Sequence, residues 1–367
     1  MSGIRKMFDA APPDVVNLGL GEPDFDPPEE VREALFQAVR QGLNKYGPSA
    51  GIAPLREAIA RKYARHDPTT TLENVLVTVG GSEGLAVVAL SMYNPGDEVL
   101  VPNPGFVLYG PHARLAGARP VPYPLTKENS FLPDLDGLEK LITPRTKAIV
   151  VNSPSNPTGA VIPRKMADQI CALANAHDLA VISDEAYDEI VYTTEPFTSF
   201  WGRADKVVVV NSFSKTFAMT GWRLGYLLAP RAFVAEANKI HYHLVACPAT
   251  PPQIAALKGL EVSAPATQAM TREFRARRDI IVKGLRAIPG MSIVSPKGAF
   301  YAFPAIDWRD RSDVEVAQGL LRKGLLLTPG TSFGSLGEGH LRLSFATSRD
   351  KIQRALDILR AYADDRS

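Results

Sequence analysis

Between Val75 and Asn211, short apolar runs rich in β-branched residues alternate with amphipathic segments, and this alternation restricts the fold more than any other feature. Val75–Val79 is followed by Glu83–Met92, Glu98–Val101 by Tyr109–Ala116, and Lys147–Val151 by Arg164–His177. Two further runs, Ala180–Ser183 and Lys206–Asn211, close the series. Strands that alternate with helices in this way pack as a mostly parallel sheet covered on both faces. Pro28, followed by Glu29 and Glu30 with Gly42 beyond, marks the start of one helix, and Pro54 opens another. After about Ala264 the pattern changes. A long charged helix, Thr267–Ala287, leads to short strands at Ser292–Ser295, Phe300–Phe303 and Leu341–Phe345, with helices at Asp313–Lys323 and Asp350–Tyr362. That part reads as a smaller α+β domain. At 367 residues the chain has room for two domains, or for one large α/β domain with an appendage.

In an open parallel sheet, ligands sit beyond the carboxyl ends of the strands. Asn156 follows the strand that ends near Asn152, Asp184 follows Ser183, and Lys215 follows the four valines Val207–Val210. Three strand exits therefore deliver an amide, a carboxylate and an amine to one crevice. Glu185, next to Asp184, is sent elsewhere by the alternation of side chains at a strand end. Lys215 itself lies in Asn-Ser-Phe-Ser-Lys-Thr-Phe-Ala-Met-Thr-Gly-Trp-Arg-Leu-Gly-Tyr, from Asn211 to Tyr226. Hydroxyls flank it at Ser212, Ser214 and Thr216, and Arg223 follows eight positions later. An amine condenses with an aldehyde, while hydroxyls and a guanidinium hold a phosphate. Pyridoxal 5'-phosphate carries both groups on one small ring.

This run resembles the cofactor-lysine signature of class I aminotransferases, fold type I pyridoxal-phosphate enzymes. The resemblance spans Asn17 to Phe345, with family-like motifs in the family's order. It implies an α/β fold with a mostly parallel sheet of the seven-stranded type and a smaller α+β domain. The large cofactor-binding domain is expected over residues 29–265, and the small domain over residues 1–28 plus 266–367. By the same resemblance, Lys215 anchors the cofactor and later moves a proton, and Asp184, in Ile-Ser-Asp-Glu-Ala-Tyr, partners the ring nitrogen. Asn156, in Ser-Asn-Pro-Thr-Gly, and Tyr187 bond the ring's 3-oxygen, and Phe106 stacks on the ring. Ser212, Ser214 and Arg223 hold the phosphate, with Gly81 and Ser82 at a helix start, where the dipole favours an anion. Tyr46 resembles the tyrosine that reaches the phosphate of the neighbouring subunit, which implies a homodimer with shared active sites. Arg342, in His-Leu-Arg-Leu-Ser-Phe, takes the substrate α-carboxylate through two parallel hydrogen bonds. Leu20 and Gly21 belong to a segment that closes over the substrate, and Pro296–Tyr301 matches another small-domain element.

The implied reaction moves the α-amino group of an L-amino acid to a 2-oxo acid, with 2-oxoglutarate as the expected acceptor, by ping-pong kinetics. A carbon–sulfur β-lyase on the same cofactor is the nearest alternative. A regulatory binding protein built on the fold is the other, but the 16 residues before Asn17 leave no room for a DNA-binding domain. One subgroup of aspartate and prephenate aminotransferases carries a lysine in the glycine turn to hold a distal carboxylate. Here that turn reads Gly80-Gly81-Ser82, which speaks against strict aspartate use and leaves aromatic, neutral, aspartate-like or broad specificity open.

Charge is nearly balanced, 41 basic against 39 acidic residues, with no basic tract to suit a nucleic acid. No apolar segment approaches the roughly 18 residues of a membrane span, and Met1–Asp9 lacks the apolar core of a signal peptide. Cys171 and Cys247 form no Cys-x-x-Cys, so free thiols in the cytoplasm are expected. The six histidines form no metal-spaced cluster. His241 and His243, two apart on an expected helix, point in different directions.

Overall fold

The computed structural model describes residues 14–308 and 312–364. Its centre is a seven-stranded sheet. In spatial order the strands are Val75–Thr78, Gly225–Leu228, Val207–Ser212, Ala180–Asp184, Thr146–Asn152, Glu98–Asn103 and Arg119–Pro124. Only Gly225–Leu228 runs antiparallel to its neighbours; the remaining pairings are parallel.

The apolar runs form strands because both of their faces are covered. Val207 and Val209 pack with Val75, Val77, Ile149 and Val181 on one face. Val208 and Val210 pack with Leu76, Val150 and Ile182 on the other. A strand buried on both sides reads as a continuous apolar run rather than as an alternation. Burying one such valine stabilises the fold by about 1.5–3 kcal/mol. The first face is roofed by Val31, Leu55, Ile59 and Ile170 from the helices Glu29–Arg40, Ala53–Tyr63 and Arg164–Ala176. Leu85, Val88, Val234 and Ala237 from the helices Gly80–Met92 and Arg231–Val245 cover the second.

A third apolar cluster joins Val16 and Leu18 to Phe274, Ile281, Phe300, Leu343 and Leu356. It is built on the helices Ala264–Arg286 and Arg349–Asp364 and on a small antiparallel sheet of Tyr301–Ala302, Leu341–Ser344 and Thr328–Pro329. Val16–Asn17 pairs in parallel with Leu325–Leu326, which ties the early chain to the late one. The strand expected over Ser292–Ser295 is only Met291–Ser292, paired with Ala305–Ile306.

Candidate active site

The strand exits converge as the apolar pattern predicts. Asp184 is the last residue of its strand. Asn152 ends the neighbouring strand, and its side chain binds the loop on both sides. Asn152 Nδ2 donates to the Asp184 carbonyl at 3.0 Å, and its Oδ1 accepts from the Asn156 N–H at 2.7 Å. Val207–Ser212 runs directly into the short helix Phe213–Thr216, whose first turn is capped by Ser212 Oγ accepting from the Ser214 N–H at 3.2 Å. That turn aims Lys215 into a cavity of about 260 Å³.

Gly81, Ser82, Phe106, Asn156, Asp184 and Tyr187 line the same cavity. So do Gly21, Ser212, Ser214, Arg223 and Arg342. Leu20 is not among the lining residues and is 46% exposed. Tyr46 is 92% exposed, beside Cys247–Pro251 in a separate surface depression.

Glycine is required at two points. Gly80, the first residue of the helix Gly80–Met92, has φ +76°, and a Cβ there would approach Arg223 Nη2 to 2.6 Å. A Cβ on Gly21 would collide with the Tyr301 hydroxyl. Arg223 is itself left-handed, at φ 54°, with its Nη1 donating to the Thr220 carbonyl at 2.7 Å.

Lys215 Nζ donates to the Gly21 carbonyl at 2.7 Å. Burial pulls its pKa down to about 8; Arg223 and Arg342 add to the fall, while Glu22 and Asp184 oppose it. Burial raises Asp184, against the Tyr109 hydrogen bond, the Ala186 N–H and the Lys215 charge. Arg342 Nη1 donates to Asn156 Oδ1 at 3.1 Å and Nη2 to the Gly19 carbonyl at 2.6 Å. Its guanidinium lies 4.7 Å from the Tyr301 ring centroid and 4.8 Å from that of Phe333, and its buried Nε has no partner among the described residues.

Three neighbours escaped the sequence reading. The Tyr301 hydroxyl meets that of Tyr187 at 2.8 Å. Tyr109 bonds Asp184, and Asn211 Oδ1 accepts from the Ser212 N–H at 2.6 Å. Tyr301 was visible in the Pro296–Tyr301 motif, but its partner lies 114 positions away. Glu185 does leave the crevice. It is fully buried, accepting from Ser183 Oγ, Ser199 Oγ and the Phe200 N–H.

A fold type I sheet with a lysine, an aspartate and an arginine at its strand exits defines the class, and comparison with known proteins agrees. Residues 13–359 match the family described as aminotransferase class I and II. An aspartate aminotransferase of Pyrococcus horikoshii is 40% identical over 365 residues, 97% of this chain and 93% of that one. Aromatic-amino-acid aminotransferase 2 of Thermococcus litoralis is 40% identical over 369 residues, 97% of this chain and 94% of its own. The crystal structure of an aromatic aminotransferase from P. horikoshii superposes with a TM-score of 0.93 at 36% identity, covering 99% of each chain. The chain belongs to the class I and II aminotransferases, which are pyridoxal-phosphate-dependent transaminases. Transamination is thereby supported, and the lyase and regulatory alternatives are not.

Proposed function

We propose that this chain transaminates aromatic and neutral L-amino acids with bound pyridoxal 5'-phosphate, passing the amino group to a 2-oxo acid. The observation that carries the reading is the meeting of Lys215, Asp184, Asn156 and Arg342 around one cavity of about 260 Å³. The donor set fits the cofactor. Ser212, Ser214, Arg223 and the helix start at Gly81 and Ser82 suit its phosphate, and the unpartnered Arg342 Nε leaves a buried donor free for an anion.

Bound pyridoxal phosphate supplies an aldehyde that takes up the amino group and a ring that accepts the electrons freed at Cα. With the cofactor bound, the Asp184 carboxylate would hold a proton on the ring nitrogen. Asn156 and Tyr187 would hold the ring 3-oxygen, and Phe106 would pack against the ring. Arg342 holds the substrate α-carboxylate, with Asn156 and Gly21 around it, which orients the Cα–H. Lys215, largely neutral above about pH 8, takes the Cα proton and returns it on the other side of the transfer. Of the three cations lining the cavity, Lys215, Arg223 and Arg342, each has one of these tasks, and none is left for a distal carboxylate. Ser82 adds no charge where a lysine would.

The reading includes a large domain over residues 29–265 and a small one over residues 1–28 plus 266–367. The third apolar cluster, joining Val16 and Leu18 to the late helices, supports that division; residues 1–13, 309–311 and 365–367 lie outside the described residues. It also includes a homodimer in which Tyr46 reaches the partner's phosphate. Exposed Phe36, Val39, Leu43 and Tyr46 supply apolar surface for such a contact. The free thiols Cys171 and Cys247 suit the cytoplasm, and among the described residues no helix is long and apolar enough to cross a membrane. The test is a panel of amino donors against 2-oxoglutarate and pyruvate. Phenylalanine, tyrosine and neutral donors should lead by kcat/KM, and a strong lead for aspartate would overturn the substrate assignment.

A further inference from the structure

Lys215 lines one cavity, and the next two residues, Thr216 and Phe217, line another, of about 810 Å³. The helices Ala53–Tyr63, Thr250–Val262 and Ala264–Arg286 contribute to its walls. Five cations line it, Arg61, Lys62, Arg65, Arg272 and Arg275, against the carboxylates Glu189 and Glu261. That leaves a net charge of +3 (five minus two) around one concave surface, which focuses the field toward anions. Some of these cations are engaged. Arg275 donates to the Tyr192 carbonyl at 2.7 Å and Arg65 Nε to His66 Nε2 at 3.1 Å. The Arg61 and Arg272 side chains make no hydrogen bond or ion pair among the described residues. Two uncommitted guanidiniums, planar and always charged, match the oxygens of a phosphate or carboxylate.

Lys62 connects this cavity to the crevice. Its Nζ lies 2.7 Å from Asp188 Oδ2 and 3.0 Å from Glu189 Oε1. The same Asp188 oxygen accepts from Asn211 Nδ2 at 3.0 Å. Asn211 Oδ1 in turn holds the Ser212 N–H, and Ser212 lines the crevice. Asp188 and Asn211 are buried, so water does not replace a lost partner there without cost.

We propose that the 810 Å³ cavity binds a small multivalent oxyanion, and that Lys62 transmits its occupancy to Ser212. An anion bound by Arg61 and Arg272 competes with Asp188 for the Lys62 ammonium. Asp188 then loses its counter-charge, Asn211 loses a fixed acceptor, and the Ser212 segment loosens. The binding stands on the cavity alone, whereas the coupling rests on the cofactor placement proposed above.

The test titrates the holoenzyme at low ionic strength with pyrophosphate and, separately, with citrate, by isothermal calorimetry. The comparison is Arg61→Ala/Arg272→Ala, which removes two exposed side chains outside the crevice. One saturable site per chain is expected, weakened about tenfold or more in the double variant. Tighter binding of pyrophosphate assigns the site to phosphate esters, and tighter binding of citrate to polycarboxylates. The bound anion should also speed release of the cofactor severalfold, read from its absorbance, in the wild type and not in the double variant. No saturable binding, or equal binding by the double variant, overturns the site. Normal binding with unchanged cofactor release overturns the Lys62 link. A protein without cofactor absorbance at the outset would instead count against the cofactor placement, and the calorimetry would still report on the cavity.

Discussion

The Tyr109 hydroxyl donates to Asp184 Oδ2 across 2.7 Å, with both side chains buried. Burial alone pushes the aspartate toward its neutral form, and the tyrosine is the largest of the influences that hold it charged. A carboxylate that must hold a proton on a ring nitrogen works only while it is itself ionised. Tyr109→Phe removes the donor and leaves a buried oxygen unpaired, a loss of about 1–3 kcal/mol. A fall in kcat of roughly tenfold to a hundredfold is expected, with the acid limb of the pH–kcat profile moved upward. An unchanged kcat and acid limb would reduce Tyr109 to a packing residue.

Lys215 gives a second pH signature. With its pKa lowered to about 8, chiefly by burial, the amine is neutral, and hence nucleophilic, above that pH. An ordinary lysine reaches that state only near 10.4. The rate at which apoprotein combines with pyridoxal phosphate should therefore rise with pH and level off above about 8. Lys215→Ala should neither capture the cofactor covalently nor turn over, a loss on the order of a thousandfold or more. A capture rate still climbing at pH 10 would contradict the buried setting of the amine.

Glu185 predicts a stability effect away from the chemistry. Burial raises its carboxyl to about 7, against hydrogen bonds from Phe200, Ser199 and Ser183. A carboxyl raised in the folded state binds its proton more tightly there than in the unfolded chain. Its contribution is fully present below the unfolded value near 4.3 and is lost as pH rises through about 7. The slope is about 1.4 kcal/mol per pH unit. Glu185→Gln cannot titrate, so its stability relative to wild type should improve between pH 5 and 7 in urea denaturation. Parallel curves for the two proteins would show that Glu185 is not protonated in the fold.

Much of the fold was legible because runs such as Val207–Val210 have only one way to bury both faces. Two strands of the large sheet were not. Arg119–Pro124 carries Pro120, Pro122 and Pro124, which disguise a strand, yet it lies at the sheet edge, where missing N–H groups are tolerated. Gly225–Leu228 is short and begins within the end of the lysine signature, and it runs against its neighbours. Strand exits bring Asp184, Asn156 and Lys215 to one cavity, because a strand end fixes where the chain goes next. Tyr109, Asn211 and Tyr301 act through contacts with other elements, which no local pattern encodes. His241 and His243 diverge as expected: His241 is buried 2.9 Å from Glu83, and His243 is exposed.

Arg342 lies between the rings of Tyr301 and Phe333, and its two Nη atoms point at Asn156 and Gly19. A lysine there keeps the charge but loses the planar fork and the ring contacts. Arg342→Lys should raise KM for the amino acid by roughly tenfold to a hundredfold, while kcat falls less. Steady-state kinetics at several donor concentrations checks the split. An unaltered KM would remove the α-carboxylate from Arg342.

Tyr46 is 92% exposed and lines no part of its own chain's crevice. Tyr46→Ala and Lys215→Ala should each give a poorly active homodimer. If Tyr46 serves the partner's crevice, subunit exchange between the two variants produces hybrids in which one crevice carries both defects and the other carries neither. Two-fold symmetry guarantees that one complete constellation per hybrid. Activity after exchange should recover well above either parent, with hybrid formation verified by native mass spectrometry. Verified hybrids as inactive as their parents would mean that Tyr46 does not act across a subunit contact.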